Sequence, residues 1–345
     1  MTIRKYQSGD EQQIQELFKK VFKKDRSAEL WTWKFLNNPQ KMNPWILLYE
    51  EKGNILGHLG LWISEGYVNG EVKPIALRVD TMVDPEARGK GIYKKLNEAM
   101  VELAKEEGIS YLYGFPAPKA KELLLRYTNG VHVADVSRYI KILRPGNIAT
   151  ARFPFLKPLK GLGNLYSKGQ RKLKNPPNDV KVNDTKECDE RFDQLAEKAN
   201  SIKPFLLKRT STYLNWRFLN HPTEKYTILA LEERSELLGY VVVKKSTTKM
   251  KGGDVKTGFI IDWLATEDKK SWEYLLQAAL QELRDMDLIQ TWAFPPAVAT
   301  ELLTAYGFLE KDKPMPFIVH DLEAANGEWK EASNWWVTPG DVDSF

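Results

Sequence analysis

The residues Val83-Asp84-Pro85-Glu86-Ala87-Arg88-Gly89-Lys90-Gly91-Ile92-Tyr93 are the part of this chain best suited to chemistry. They join a β-rich stretch to a helical one, with two glycines at the join. The first N–H groups of a helix lack partners within it and lie at the positive end of its dipole, so such a turn suits a phosphate or pyrophosphate. Gly89 and Gly91 carry no Cβ and let the backbone approach an anion closely, and Arg88 and Lys90 add positive charge. The spacing is neither GxxxxGK[ST] nor GxGxxG, which excludes a P-loop and a Rossmann site. An ordinary strand-to-helix turn opened by a glycine has the same spacing, so the residues alone leave both readings standing.

Few other groups compete. His58, His132, His221 and His320 are far apart in sequence and match no metal-ligand spacing. Cys188 is the single cysteine, which excludes an internal disulfide and a Cys-rich zinc site. The 345 residues, 42% hydrophobic and 28% charged, have globular proportions and a length that suits two domains or three. No apolar run approaches the roughly 18 residues of a membrane span. The start, MTIRKYQSGDEQQ, has no apolar stretch behind its basic residues, so neither a secretory signal nor a membrane partner is expected, and the expected location is cytoplasmic.

The net charge of +5 is concentrated. Between 145 and 180, Arg152, Lys157, Lys160, Lys168, Arg171, Lys172 and Lys174 are opposed only by Asp179, among many prolines and glycines. That punctuation reads as a connector. A basic connector can touch nucleic acid or an anionic surface, but this one does not alternate aromatic and basic residues, and a solvated linker is the expectation.

The chain repeats on either side. Trp33-Lys34-Phe35-Leu36-Asn37-Asn38-Pro39 recurs as Trp216-Arg217-Phe218-Leu219-Asn220-His221-Pro222, an offset of 183. Asp80 answers to Asp262, and Phe115-Pro116 to Phe294-Pro295. Helical spacing at Ile92, Leu96, Ala99, Met100 and Leu103 recurs at Trp272, Leu276, Ala279, Leu280 and Leu283. So long a period means two copies of one domain rather than a solenoid. The order of elements in each copy, strands, helix, strand, helix, strand, implies an α+β fold: a mixed, mostly antiparallel sheet flanked by helices. The expected division is 1–144, a connector over 145–180, and 181–345.

Val-Asp-Pro-Glu-Ala-Arg-Gly-Lys-Gly-Ile closely resembles the acyl-CoA-binding motif of the GCN5-related N-acetyltransferases, whose pattern is Arg or Gln, two residues, Gly, one residue, then Gly or Ala. Arg88 and Gly91 match, and Tyr93 stands where the family prefers a small residue. The resemblance covers residues 1–144 well. It implies that the CoA pyrophosphate rests on Arg88, Gly89, Lys90, Gly91, Ile92 and Tyr93, and that the pantetheine arm pairs with Thr81, Met82 and Val83. It also implies a tyrosine acid for the departing thiolate, a place Tyr127 resembles. Asp80 could be a base or a substrate anchor, although the matching Asp262 favours a structural role.

In the second copy Asp268, Lys269, Lys270 and Ser271 replace Arg88, Gly89, Lys90 and Gly91, so this copy looks like a degenerate acetyltransferase domain. The expected activity is transfer of acetyl from acetyl-CoA, with no metal, to a primary amine on a small molecule or peptide. A CoA- or partner-binding pseudoenzyme is one alternative. A tandem peptidyltransferase using aminoacyl-tRNA is another, although a nucleic-acid partner is not expected. The aromatic tail Asn334-Trp335-Trp336-Val337-Thr338-Pro339-Gly340-Asp341 is expected to fold back over a domain face.

Overall fold

In a computed structural model, which describes residues 1–40, 42–165, 179–266, 268–324 and 327–344, the two repeats trace the same path. The first runs β1 (Thr2–Lys5), α1 (Glu11–Phe22), α2 (Ala28–Phe35), β2 (Trp45–Glu51), β3 (Asn54–Val68), β4 (Glu71–Val83), α3 (Ile92–Glu106), β5 (Tyr111–Gly114), α4 (Pro118–Tyr127) and β6 (Val131–Ile142). The connector adds α5 (Pro145–Arg152) and α6 (Lys160–Leu165). The second repeat runs β7 (Val180–Thr185), α7 (Glu190–Lys198), β8 (Phe205–Leu207), α8 (Ser211–Leu214), β9 (Tyr226–Glu233), β10 (Glu236–Thr248), β11 (Val255–Ala265), α9 (Lys269–Glu282), β12 (Leu288–Ala293), α10 (Val298–Ala305) and β13 (Leu309–Asp321), with β14 (Trp335–Trp336) in the tail.

Local chemistry explains the matching elements. Ser27 and Thr210, 183 residues apart, each cap the helix that leads into the Trp motif (α2 and α8) with a hydroxyl, accepting from Leu30 N and Tyr213 N at 3.1 Å. The stripe on α3 buries Ile92, Leu96 and Met100, and that on α9 buries Trp272, Leu276, Ala279 and Leu280, as their spacing predicts. The two Trp motifs meet: Trp33 Nε1 donates to the Trp216 carbonyl at 2.9 Å, Trp216 Nε1 to the Trp33 carbonyl at 3.0 Å, and the rings stack 5.1 Å apart. This reciprocal pair marks a pseudo-twofold relation between the repeats.

One mixed sheet runs through both, in the order β1-β2-β3-β4-β5-β13-β6-β12-β11-β10-β9-β7. Each repeat therefore gives its last strand to the other: β13 pairs with β5 of the first repeat, and β6 pairs with β12 of the second. The two exchanged strands also pair with each other, from Leu309↔Ile140 to Val319↔Val131. The core is accordingly continuous across the repeats.

In each repeat the parallel pair beside the exchanged strand is short. β4 and β5 pair only from Ile75↔Tyr111 to Leu77↔Tyr113, then part. β11 and β12 do the same after Phe259↔Gln290. The gap in the second repeat is covered by the tail. Trp335 stacks on Phe205 at 4.8 Å, Trp336 meets Trp272 at 5.0 Å, and Gly340 lies against Asp262 and the Ile261 carbonyl. The gap in the first repeat stays open. In the connector, Lys168, Arg171, Lys172 and Lys174 lie outside the described residues.

Candidate active site

Where β4 and β5 part, a cleft of about 680 Å³ opens, lined by both strands, α1, α2, the start of α3 and the face of α4. One end leads to the 88–93 loop. Gly89 and Gly91 have φ of 86° and 75°, left-handed values that glycine adopts without cost, with open space where a Cβ would stand. Gly91 is the residue before α3 and offers that helix no side-chain cap. The first-turn amides of α3 are thus available to an outside acceptor, with Arg88 and Lys90 exposed beside them. At the matching place, Asp268 caps α9 itself, its carboxylate accepting from Ser271 N at 3.2 Å. That helix has supplied its own anion.

Of the residues singled out from sequence, Thr81 and Tyr93 line the cleft. Met82 and Ile92 are buried, so their side chains serve the core and only their backbone is on offer. Tyr127 ends α4, half-buried, with the Arg126 guanidinium over its ring at 5.6 Å. Leu124 and Ala120 of the same helix line the cleft and Tyr127 does not. The tyrosine presented there is Tyr93, whose hydroxyl lies 3.5 Å from the Ala120 carbonyl. Burial raises its pKa, and the nearby Arg78 opposes the rise.

Asp80 occupies a bulge: His58↔Met82 and Gly60↔Val79 leave Asp80 and Thr81 opposite Leu59, and Asp80 has φ of 47°. Its carboxylate binds Lys34 Nζ at 2.7 Å and Arg26 Nη1, and Lys34 also binds Asp343 at 2.7 Å. Burial works against the charge, but Lys34 and Arg26 prevail and hold the Asp80 carboxyl well below the usual carboxylate range. A carboxylate so engaged is a poor base. Asp262 has the same partner type, Arg209 Nε at 2.8 Å, and adds Tyr240 and Thr338 hydroxyls at 2.7 and 2.8 Å. Arg26 and Arg209 are themselves 183 residues apart, so the Arg–Asp pair belongs to the repeat and is structural in both copies.

Four lining residues escaped the sequence reading. Arg78 donates to Asn97 Oδ1 at 2.7 Å and to His320 Nδ1 at 3.2 Å, and among the described residues no carboxylate pairs with it. Burial lowers its pKa to about 10. His320 comes from β13, so the exchanged strand props a cation in the first repeat's cleft. His221 and Asp343 reach the same cleft from the second repeat and the tail, and Lys34 from α2. His221 Nδ1 accepts from Thr223 N and Glu224 N at 3.3 and 3.1 Å, and burial lowers its pKa to about 4, so the ring is neutral at pH 7. Only the doubling of the Trp motif, which carries His221, hinted at this contribution.

Two buried histidines also set a pH limit. His58 Nδ1 donates to the Asp80 carbonyl at 2.7 Å. Burial, partly offset by Asp80, lowers its pKa from 6.5 to about 4; burial and Arg78 lower that of His320 to about 3. The unfolded chain takes up these protons near 6.5 and the folded one does not, so stability falls as pH drops from about 6.5 toward 4. His58 alone contributes on the order of 3 kcal/mol over that range. Denaturant midpoints measured from pH 7.5 to 4.5 should decline steadily below 6.5. A flat profile would contradict the buried neutral rings.

Residues 2–121, which lie within the first repeat, match the family model described as acetyltransferase (GNAT) domain. No curated protein sequence matches the chain. Among solved structures, the chain is similar to a GCN5-related N-acetyltransferase from Anabaena variabilis ATCC 29413, at TM-score 0.68 and 13% identity over 93% of this chain and 73% of that one. A conserved protein of unknown function from Enterococcus faecalis V583, a probable N-acyltransferase, gives TM-score 0.68 and 12% identity over 93% and 72%. The N-myristoyltransferase of Saccharomyces cerevisiae with bound myristoyl-CoA gives 0.58 and 12% over 92% and 82%. These identities speak for the fold, which is the GNAT acyltransferase fold over nearly the whole chain. Among the described residues no His, Cys, Asp and Glu group could hold a metal, and no helix is long and apolar enough to cross a membrane.

Proposed function

We propose that this chain is an acyl-CoA-dependent N-acyltransferase that moves acetyl from acetyl-CoA to a primary amine. The observation that carries the reading is the contrast between the two helix starts: α3 opens on Gly91 with its amides uncapped, and α9 opens on a carboxylate that caps it. In this reading the pyrophosphate sits on the 88–93 amides. The pantetheine arm pairs with the β4 edge at Thr81, Met82 and Val83, beyond the point where β5 leaves it. The second repeat, 181–345, binds no CoA and, with the tail, shapes the acceptor side through His221 and Asp343.

The neutral amine nitrogen attacks the thioester carbon, the C–N bond forms, the C–S bond breaks, the nitrogen gives up one proton to solvent, and the thiolate takes one, leaving an amide and free thiol. The resemblance gives that proton to Tyr127. The position of Tyr93 in the cleft favours a second reading, in which its hydroxyl supplies the proton beside the uncompensated charge of Arg78.

The test is thiol release from acetyl-CoA by the full chain over a panel of amines: polyamines, amino sugars, amino acids and peptides. Release that depends on the amine is expected. Tight CoA binding with no release on any amine would favour the pseudoenzyme. Salt-sensitive tRNA binding without CoA binding would favour a peptidyltransferase.

A further inference from the structure

The connector presents a patch that the acyltransferase reading does not use. Within ten residues, Phe153, Phe155, Leu159 and Leu162 are 45%, 76%, 55% and 67% exposed. Phe155 and Leu159 stand on a 3-10 turn over Pro154–Leu159, and Leu162 stands on α6, which continues from it at Lys160. The neighbouring β10–β11 turn adds Met250, 42% exposed, between Lys249 and Lys251. The two pieces touch: Gly252 N donates to the Ala151 carbonyl at 3.1 Å, just before Phe153.

These side chains are held outward by a rigid support. A Cβ on Gly146 would lie 2.2 Å from the Lys160 carbonyl, and one on Gly163 would lie 2.8 Å from Gly146 Cα. α5 and α6 therefore pack backbone to backbone through two glycines. Gly146 N donates to Asn164 Oδ1 at 2.9 Å, Asn164 Nδ2 to Asn147 Oδ1 at 3.0 Å, and Asn147 Nδ2 to Asp287 Oδ1 at 2.6 Å. That chain of bonds ties the hairpin to the second repeat. A loose linker needs no such anchoring.

Residues 145–165 contain Arg152, Lys157 and Lys160 and no acid. Apolar groups rimmed by cations fit the headgroup boundary of an anionic bilayer, where the apolar side chains enter and the cations meet lipid phosphate. A nucleic acid would meet the cations but leave the leucines and Met250 in water. We infer that this face docks the protein peripherally on an anionic lipid bilayer. Such docking needs no spanning segment, and it is independent of the CoA reading.

The experiment is co-sedimentation of the full chain with vesicles of phosphatidylcholine containing about one third phosphatidylglycerol, against pure phosphatidylcholine. Binding should be at least about tenfold stronger to the anionic vesicles and should weaken in high salt. Each basic residue near such a surface is worth about fivefold, so Lys157→Glu with Lys160→Glu should lower vesicle affinity by about tenfold or more. Phe155→Ser with Leu162→Ser should do the same with the charge unchanged. Both variants replace exposed residues, so the melting temperature should hold. No binding to anionic vesicles would overturn the inference, as would binding that both variants retain. So would a wild-type dimer that Phe155→Ser with Leu162→Ser disperses, or RNA binding in place of vesicle binding.

Discussion

Gly91→Asp should cost this protein at least about a hundredfold in CoA affinity while leaving it folded. Open space surrounds the position of the new Cβ. The left-handed backbone there costs an L-residue roughly 1–2 kcal/mol, with aspartate among the most tolerant. Asp268 caps α9 from extended backbone, at φ −67° and ψ 118°, a geometry that Gly91 at φ 75° does not share, so no cap offsets that modest cost. Fold stability should therefore shift little. The loss arises because the carboxylate places a negative charge against the pyrophosphate. Two unit charges 4 Å apart at an effective dielectric near 20 repel by about 4 kcal/mol, which covers a hundredfold with margin. Gly91→Asn carries a side chain of the same size without the charge and should lose far less. Calorimetric titration of CoA into the three proteins, with melting temperatures beside it, decides the matter. Normal CoA affinity in folded Gly91→Asp would mean that the loop holds no anion.

The second large effect concerns the proton given to the thiolate. General acid–base steps are worth roughly 10²–10⁴-fold, and a thiol with pKa near 8.5 leaves tolerably by itself, so the lower end applies. Replacing the acid by phenylalanine should lower kcat about a hundredfold with the KM for acetyl-CoA little changed, because the interaction belongs to the transition state. The cleft favours Tyr93→Phe for that loss, since its hydroxyl lies on the cavity wall near Arg78. Tyr127→Phe, at the end of α4, is the companion variant. A hundredfold loss there with a normal Tyr93→Phe would return the role to the position the family pattern implies. If both stay within about twofold of wild type, solvent protonates the thiolate.

Much of this was legible in the sequence because it depends on local spacing. The two glycines before Ile92, the 183-residue offset of the Trp motif and the stripes on α3 and α9 all involve neighbours a few residues apart. The replacement of both glycines at 268–271 and the acid that opens α9 were legible for the same reason. The exchange of β6 and β13 was not. A strand's alternation fixes which side faces the core but carries no information about which sheet edge it joins, and two homologous edges accept the same strand. Since the exchange puts His320 behind Arg78, that feature of the cleft was hidden with it. Prolines and glycines in the connector read as breakers, yet Pro145 stands in the first turn of α5 and Gly146 and Gly163 let helices touch. The aromatic tail was expected against a domain face, and it lies across the second repeat's gap through Trp335, Trp336 and Gly340.

Whether CoA binds in the first repeat alone is answered most directly by hydrogen exchange on the whole chain with and without acetyl-CoA. The whole chain is needed because each repeat borrows a strand from the other. Saturating acetyl-CoA should slow exchange of the amides at 88–94 and along 81–83, and leave 268–273 unchanged. Slowed exchange at 268–273, or none at 88–94 under conditions where CoA is bound, would contradict the assignment of the cofactor to the Gly89–Gly91 turn.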